Sequence, residues 1–168
     1  MREPWECLEA SGRILDRLDI RWAVMGALAA ERYRDEKRFT TDADLLIDGA
    51  RGVIEAFEAE GYRVNAMAEP GGDPYVIYVR GKGDRLDLIV AETEFQLSAL
   101  DRAVDHVITA EDLVVFKLIA WRGKDRDDVE SILRTGRQLD VAYIERWARE
   151  WEVFDRWEEV RRRHTLES

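Results

Sequence analysis

Asp42 and Asp44 stand two residues apart at the head of an apolar run, Ala43-Asp-Leu-Leu-Ile. In an extended chain alternate side chains share a face, so both carboxylates project to one side. Two carboxylates that close repel each other unless a cation lies between them. Mg²⁺ meets that need, since it takes a few carboxylates and completes its shell with water and substrate phosphates. The plainer alternative is a strand that begins at the solvent-facing end of a sheet. Gly26 lies where an apolar run at 20–25 gives way to the helix-forming Ala27-Leu-Ala-Ala-Glu-Arg-Tyr. A junction without a side chain lets an anion approach the free N–H groups at a helix start. Asp87 interrupts Leu86-Asp-Leu-Ile-Val, a run that otherwise reads as buried. An unpaired buried carboxylate is costly, so Asp87 needs either a metal or a cation such as Arg85. An anion-ready turn, a carboxylate pair and a third strand-borne carboxylate are together what two-metal phosphoryl chemistry requires.

These residues need a sheet to hold them. Apolar spacing from Cys7 to Leu18 predicts a first helix, and 20–25 a short strand ended by Gly26. A second strand starts at Ala43, residues 49–60 have helical composition and stop at Gly61, and 62–65 read as a third strand. Pro70-Gly-Gly-Asp-Pro74 is a loop, after which 75–79 and 85–90 form two strands joined by the hairpin signal Gly81-Lys-Gly-Asp. From Thr109, which resembles a helix cap three residues before Asp112, the pattern is helical throughout. The expected fold class is α/β (α+β): a mixed β-sheet core with helical cover and a helical C-terminal third. The expected organisation is a core over 1–108 and a helical region over 109–168 packed on it.

The chain has 168 residues, 46% hydrophobic and 37% charged, enough for a packed core and against disorder. Its net charge of −10 counts against whole-surface binding of nucleic acid or of an anionic membrane, and leaves a local basic groove open. The single Cys7 excludes an intrachain disulfide and a multi-cysteine zinc site. The first residues carry no signal-peptide core, and the longest apolar stretch, 22–30, is far shorter than the roughly 20 residues of a membrane helix. A cytoplasmic protein in a reducing setting is the expectation.

Gly26-Ala27 followed by Arg38-x-Thr40-Thr41-Asp42-x-Asp44 resembles the signature of the polymerase β-like nucleotidyltransferases. Further on, Glu111-Asp-Leu-Val-Val-Phe-Lys117-Leu-Ile-Ala-Trp-Arg122-Gly-Lys124-Asp125-Arg-Asp-Asp128-Val is similar to the Lys…Arg-x-Lys-Asp-x-x-Asp helix of a minimal group that includes AbiEii-like and MenT-like toxins. Leu139-Asp-x-x-Tyr-Ile-x-Arg-Trp resembles the helix that closes that group, and the likeness spans 20–147. The resemblance implies a Mg²⁺-dependent enzyme moving a nucleoside monophosphate from an NTP such as ATP to an acceptor hydroxyl on a tRNA end, a protein or a small molecule. Asp42, Asp44 and Asp87 would hold two Mg²⁺ ions, with Asp87 the base or metal-positioning group. Gly26, Ala27 and Thr41 would cradle the triphosphate; Ala27 brings no hydroxyl, so its contacts are backbone N–H groups. Lys117 would steady phosphate charge, unless it is a partly buried lysine paired with an acid. Arg38 would reach the γ-phosphate or orient its loop. Arg122, Lys124, Asp125 and Asp128 would lie one or two turns on from Lys117, touching nucleotide or forming the helix's own ion pairs. The toxin likeness adds a possible antitoxin partner and no membrane. An RNA acceptor would need a local patch, for which Arg32, Arg34, Lys37 and Arg38 with Arg122 and Lys124 are the candidates. The alternative function is a catalytically inactive nucleotide- or protein-binding module of the same fold.

Other residues read as structural. His106 is expected to be a structural strand-end histidine, Cys7 a small core residue, Trp147, Trp151 and Phe154 core packing, and Arg161–Arg163 a solvated helix face.

Overall fold

A computed structural model describes residues 4–36 and 38–167; Met1, Arg2, Glu3, Lys37 and Ser168 lie outside the described residues. The chain divides into two compact units, one of residues up to 28 together with 39–108, the other of 29–38 together with 109 onward.

The first unit carries a five-stranded mixed sheet of β1 (Trp22–Met25), β2 (Ala43–Ile47), β3 (Arg63–Ala68), β4 (Pro74–Gly81) and β5 (Asp84–Val90), in the order β1-β2-β5-β4-β3. Only β2 and β5 run parallel. The long return this requires is supplied by α3 (Val53–Ala59), β3 and β4. Leu45, Leu46 and Ile47 are all wholly buried, as a central strand covered on both faces demands. At the other extreme β3 is mostly exposed and irregular at Met67, in keeping with an edge strand. Register places Ala43, Leu45, Leu86, Leu88, Ile77 and Val79 on one face, and each is 0% or 1% exposed. The opposite face carries Asp44, Asp87, Tyr78 and Arg80, all partly open to solvent. The first face is therefore core, and the second is polar from Asp44 to Arg80 while Leu46 lies buried farther along it.

Helices α1 (Pro4–Arg17) and α3 pack together, α3 also meets β3, and α4 (Glu94–Arg102) meets β2. The Gly61 and Tyr62 N–H groups bond back to Glu58 and Phe57, closing α3 at the glycine expected to end it. Beyond α4, residues 104–108 turn back beside β1, with Val24 N–H bonded to His106 O at 2.7 Å. His106 stacks on Trp22 with ring centroids 4.0 Å apart, so the histidine is a packing residue. Cys7 is buried, as expected.

Helix α2 (Gly26–Tyr33) begins in the first unit, and its later residues belong to the second. With them in the second unit are α5 (Ala110–Ala120), α6 (Gly123–Arg134), α7 (Val141–Glu150) and α8 (Phe154–Glu167). Thr109 caps α5 by accepting from Asp112 N–H, while its hydroxyl donates to the buried Asp112 carboxylate at 2.6 Å. α5 packs on α6 and α7, and α8 on both of those. α5 is apolar almost all round, as a helix with neighbours on several sides must be. Trp121 adopts a left-handed conformation at its end, φ 51, so the segment read as one helix from Glu111 to Asp128 is two. Trp147 is buried as expected, but Trp151 is 38% exposed because it follows the end of α7. Arg161 and Arg163 form exposed pairs with Glu145, Glu130 and Glu159, the solvated face expected of them. Among the described residues no helix is long and apolar enough to cross a membrane.

Candidate functional site

Asp44 sits in β2 directly between Met25 of β1 and Asp87 of β5. The strand spacing of about 4.8 Å brings two carboxylates of neighbouring strands onto one face. Asp42, two residues earlier, shares that face and meets Arg85 Nε at 2.7 Å. The Thr41 hydroxyl donates to the same Asp42 oxygen at 3.0 Å, and Thr40 donates to the Asp42 carbonyl at 3.2 Å, which fixes the approach to the strand. Asp87 pairs with Arg80 at 2.6 Å. Sequence alone offers a metal or a cation such as Arg85, and the register explains why the cation is Arg80. Arg85 faces the Asp42 side of β5, while Arg80 lies across the hairpin from Arg85 and diagonal to Asp87. Arg80 is held there by bonds from its Nη1 to the carbonyls of Leu86 and Val79.

Gly26 has φ +66, and a Cβ built on it would lie 2.1 Å from Asp44 Oδ2. The missing side chain thus makes room for the Asp44 carboxylate, a reason distinct from access to helix N–H groups.

Among the described residues no group of three or more His, Cys, Asp or Glu side chains is arranged to hold a metal ion. The donors are nonetheless of the right chemistry: hard carboxylate oxygens on adjacent strands, beside a glycine that leaves Asp44 its space. Arg80 and Arg85 draw Asp87 and Asp42 aside. The Arg85 and Asp42 side chains are 57% and 43% exposed, and such a pair is worth about 0.2–1 kcal/mol. Arg80–Asp87 is less exposed, at 28% and 27%, so the weak pair is the one at Asp42; the carboxylates have the donor chemistry that Mg²⁺ takes.

The second unit gathers the remaining candidates around two buried carboxylates. Lys117 Nζ lies 2.9 Å from both Asp125 Oδ1 and Asp128 Oδ2. Asp128 also takes Arg34 and Arg38, each at 3.1 Å, and Asp125 takes Arg122 at 2.7 Å. Arg122 starts α6, and Asp125 accepts from both its backbone N–H and its guanidinium, joining the cap to the ion cluster. The Arg34 side chain is 3% exposed, so Arg34 is no surface contact for RNA, contrary to the expected patch. Lys37 lies outside the described residues, and Lys124 is exposed in the first turn of α6. Four cations gather on these two carboxylates, with Glu31 3.9 Å from Arg34 as a third acid at the edge of the cluster. Arg80 was not singled out from sequence, and Arg34 was named only as a surface charge. Arg80 was legible in the hairpin signal, since pairing Gly81 with Asp84 sets Arg80 opposite Arg85; nothing local to Arg34 signals its burial.

Burial pushes the Asp125 carboxyl up, but hydrogen bonds from Arg122 and Lys117 outweigh it and hold the group below the usual range. A depressed folded value gives stability that is present above the ordinary carboxyl value near 4 and lost as pH falls through the folded value. Stability is expected to fall below about pH 4, with a shallower acid limb in Asp125→Asn. Urea midpoints measured across pH 2–6 check this.

No family model matches the sequence, and neither does any curated protein. Among solved structures the chain is similar to the antibiotic-resistance factor ANT(2'')-Ia, with a TM-score of 0.58 and 16% identity over 95% of both chains. It also shares 18% identity with an antigenic nucleotidyltransferase-like protein from Paracoccidioides brasiliensis, at a TM-score of 0.46 over 74% of this chain and 73% of that one. The first likeness is one of fold: the chain adopts the α/β nucleotidyltransferase fold.

Proposed function

We propose that the protein is a Mg²⁺-dependent nucleotidyltransferase. The observation that carries this reading is Asp44 and Asp87 as register partners, with Asp42 on the same face, in this fold. The acceptor hydroxyl oxygen attacks the α-phosphorus of an NTP such as ATP, and the bond to the bridging oxygen breaks. Pyrophosphate leaves with that electron pair, and the hydroxyl proton passes to a carboxylate, for which Asp87 is the candidate. Asp42, Asp44 and Asp87 would hold the metal ions. Bound Mg²⁺ supplies charge neutralisation at the attacking and leaving oxygens. Gly26 and Ala27 offer backbone N–H groups and Thr41 a hydroxyl to the triphosphate. Arg38, Lys117, Arg122 and Lys124 offer it positive charge, Lys117 by exchanging a carboxylate for a phosphate.

The acceptor classes are a tRNA end, a protein or a small molecule. A toxin role with an antitoxin partner and a cytoplasmic setting belong to the same reading. The rival is an inactive nucleotide- or protein-binding module, and the Arg80–Asp87 and Arg85–Asp42 pairs favour it, since they occupy the carboxylates.

Calorimetric titration with each NTP and Mg²⁺ separates the two. Saturable binding by the native chain, lost in Asp42→Asn/Asp44→Asn, is the expected result. Absence of binding at millimolar nucleotide would sink the enzyme reading and leave a protein-binding module.

A further inference from the structure

The Lys82-Gly83 turn between β4 and β5 has φ 55 and 86, the two left-handed residues of a type I′ hairpin. That turn fixes Arg80 opposite Arg85, and the β3–β4 register fixes Arg63 opposite Arg80. Three arginines therefore stand in a row across three adjacent strands, on the face that carries Asp42, Asp44 and Asp87. Like charges placed directly opposite destabilise a sheet, so the row requires anions. Asp42 and Asp87 serve Arg85 and Arg80. The Arg63 side chain is exposed and has no hydrogen bond or ion pair among the described residues. Lys82, also exposed, sits over the Tyr62 ring at 4.9 Å. These four cations, with Thr41, Gly81, Gly83 and Asp84, line a cavity of about 600 Å³ within the sheet unit. The Asp84 side chain is buried at 3% exposure and accepts from the Tyr62 hydroxyl at 2.8 Å.

We infer that Arg63, Arg80, Lys82 and Arg85 form the acceptor subsite, and that the acceptor is a nucleic-acid strand end held by its phosphodiester groups. The inference rests on the nucleotidyltransferase reading and names its acceptor. Guanidinium forks match phosphate oxygens two at a time. A row across three strands spans about 10 Å, more than one phosphate needs and suited to a short run of them. A cationic small molecule would be repelled by it. The overall charge of −10 confines the contact to this patch, so no long track along the strand is expected. When Mg²⁺ takes Asp42 and Asp87, Arg80 and Arg85 lose their counter-anions. Phosphodiesters then replace them, which couples metal and acceptor binding with positive sign.

The test is anisotropy titration of the full chain with a short labelled single-stranded RNA and its DNA counterpart, with and without Mg²⁺. Alongside it, the NTP–Mg²⁺ calorimetry is repeated on the same samples. Expected are saturable strand binding by the native chain, tighter with Mg²⁺, and a loss of about tenfold in Arg63→Glu. The log-affinity against log-salt slope should become shallower by about 0.7 for each phosphate contact removed. NTP binding should be unchanged in that variant. Failure of the native chain to bind either strand overturns the proposal, as does Arg63→Glu binding like native. Strand binding that survives while the native chain binds no NTP would sink the nucleotidyltransferase reading and leave the basic row as a strand site.

Discussion

Asp128→Ala is expected to lower the unfolding free energy by about 3–5 kcal/mol, read as a shift of the urea midpoint. The carboxylate is 2% exposed and is shared by Lys117, Arg34 and Arg38. Removing it leaves Lys117 with Asp125 alone, and leaves the buried Arg34 guanidinium without its carboxylate at 3.1 Å. Arg34 would keep the Arg38 carbonyl at 2.8 Å and the more distant Glu31 at 3.9 Å, too little to repay its lost solvation, which is why breaking such a pair costs more than the pair itself contributes. Asp128→Asn should cost less, since the amide oxygen still accepts a hydrogen bond. Lys117→Met should cost less again: Asp125 keeps Arg122, and Asp128 keeps two arginines. That ordering decides what Lys117 is for. A large loss in Lys117→Met would mark it as structural. A small loss, with NTP binding abolished, would mark it as the phosphate ligand. An Asp128→Ala loss under about 1 kcal/mol would mean that the cations reach water and the cluster is not buried in the sense argued.

The layout of the sheet was legible in the sequence because its signals are local. Gly81-Lys-Gly-Asp announces a two-residue hairpin, and Leu86-Asp-Leu-Ile-Val announces one polar residue on a buried strand. The mixed sheet and helical final third follow from the order of such segments. What escaped depends on partners distant in sequence. Nothing near Asp87 says that its cation comes from Arg80 rather than Arg85, because the choice is made by register across the hairpin. Arg34 reads as a surface charge in a charged loop, yet Asp128, 94 residues on, holds it buried. The break at Trp121 escaped for another reason. Gly123 is a weak sign of a break, but a left-handed tryptophan is a conformation that composition disfavours. Gly26 was found as a residue that matters, while its reason, the space needed by Asp44, emerges only when β1 and β2 are paired.

Gly26→Ala is expected to lower stability by about 2–5 kcal/mol and to weaken NTP–Mg²⁺ binding at the same time. Two costs add. A left-handed backbone at φ +66 strains any residue with a Cβ, by about 1–2 kcal/mol. The new methyl would also stand 2.1 Å from Asp44 Oδ2 and 2.9 Å from its Cγ, so the carboxylate must swing away or the strand must shift. Overpacking of that kind costs about 1–3 kcal/mol. The two costs are separable by a second variant. Gly26→Ala/Asp44→Gly removes the clash and keeps the strain, so it should recover the overpacking share of stability while nucleotide binding stays lost. Such non-additivity is what two side chains competing for one space produce. If the double variant is instead as unstable as the sum of the single ones, the strain alone explains Gly26. If Gly26→Ala unfolds like the native chain and binds NTP–Mg²⁺ as tightly, the Asp44 carboxylate does not occupy the space that the glycine leaves, and the metal-binding role given to that face loses its strongest geometric support.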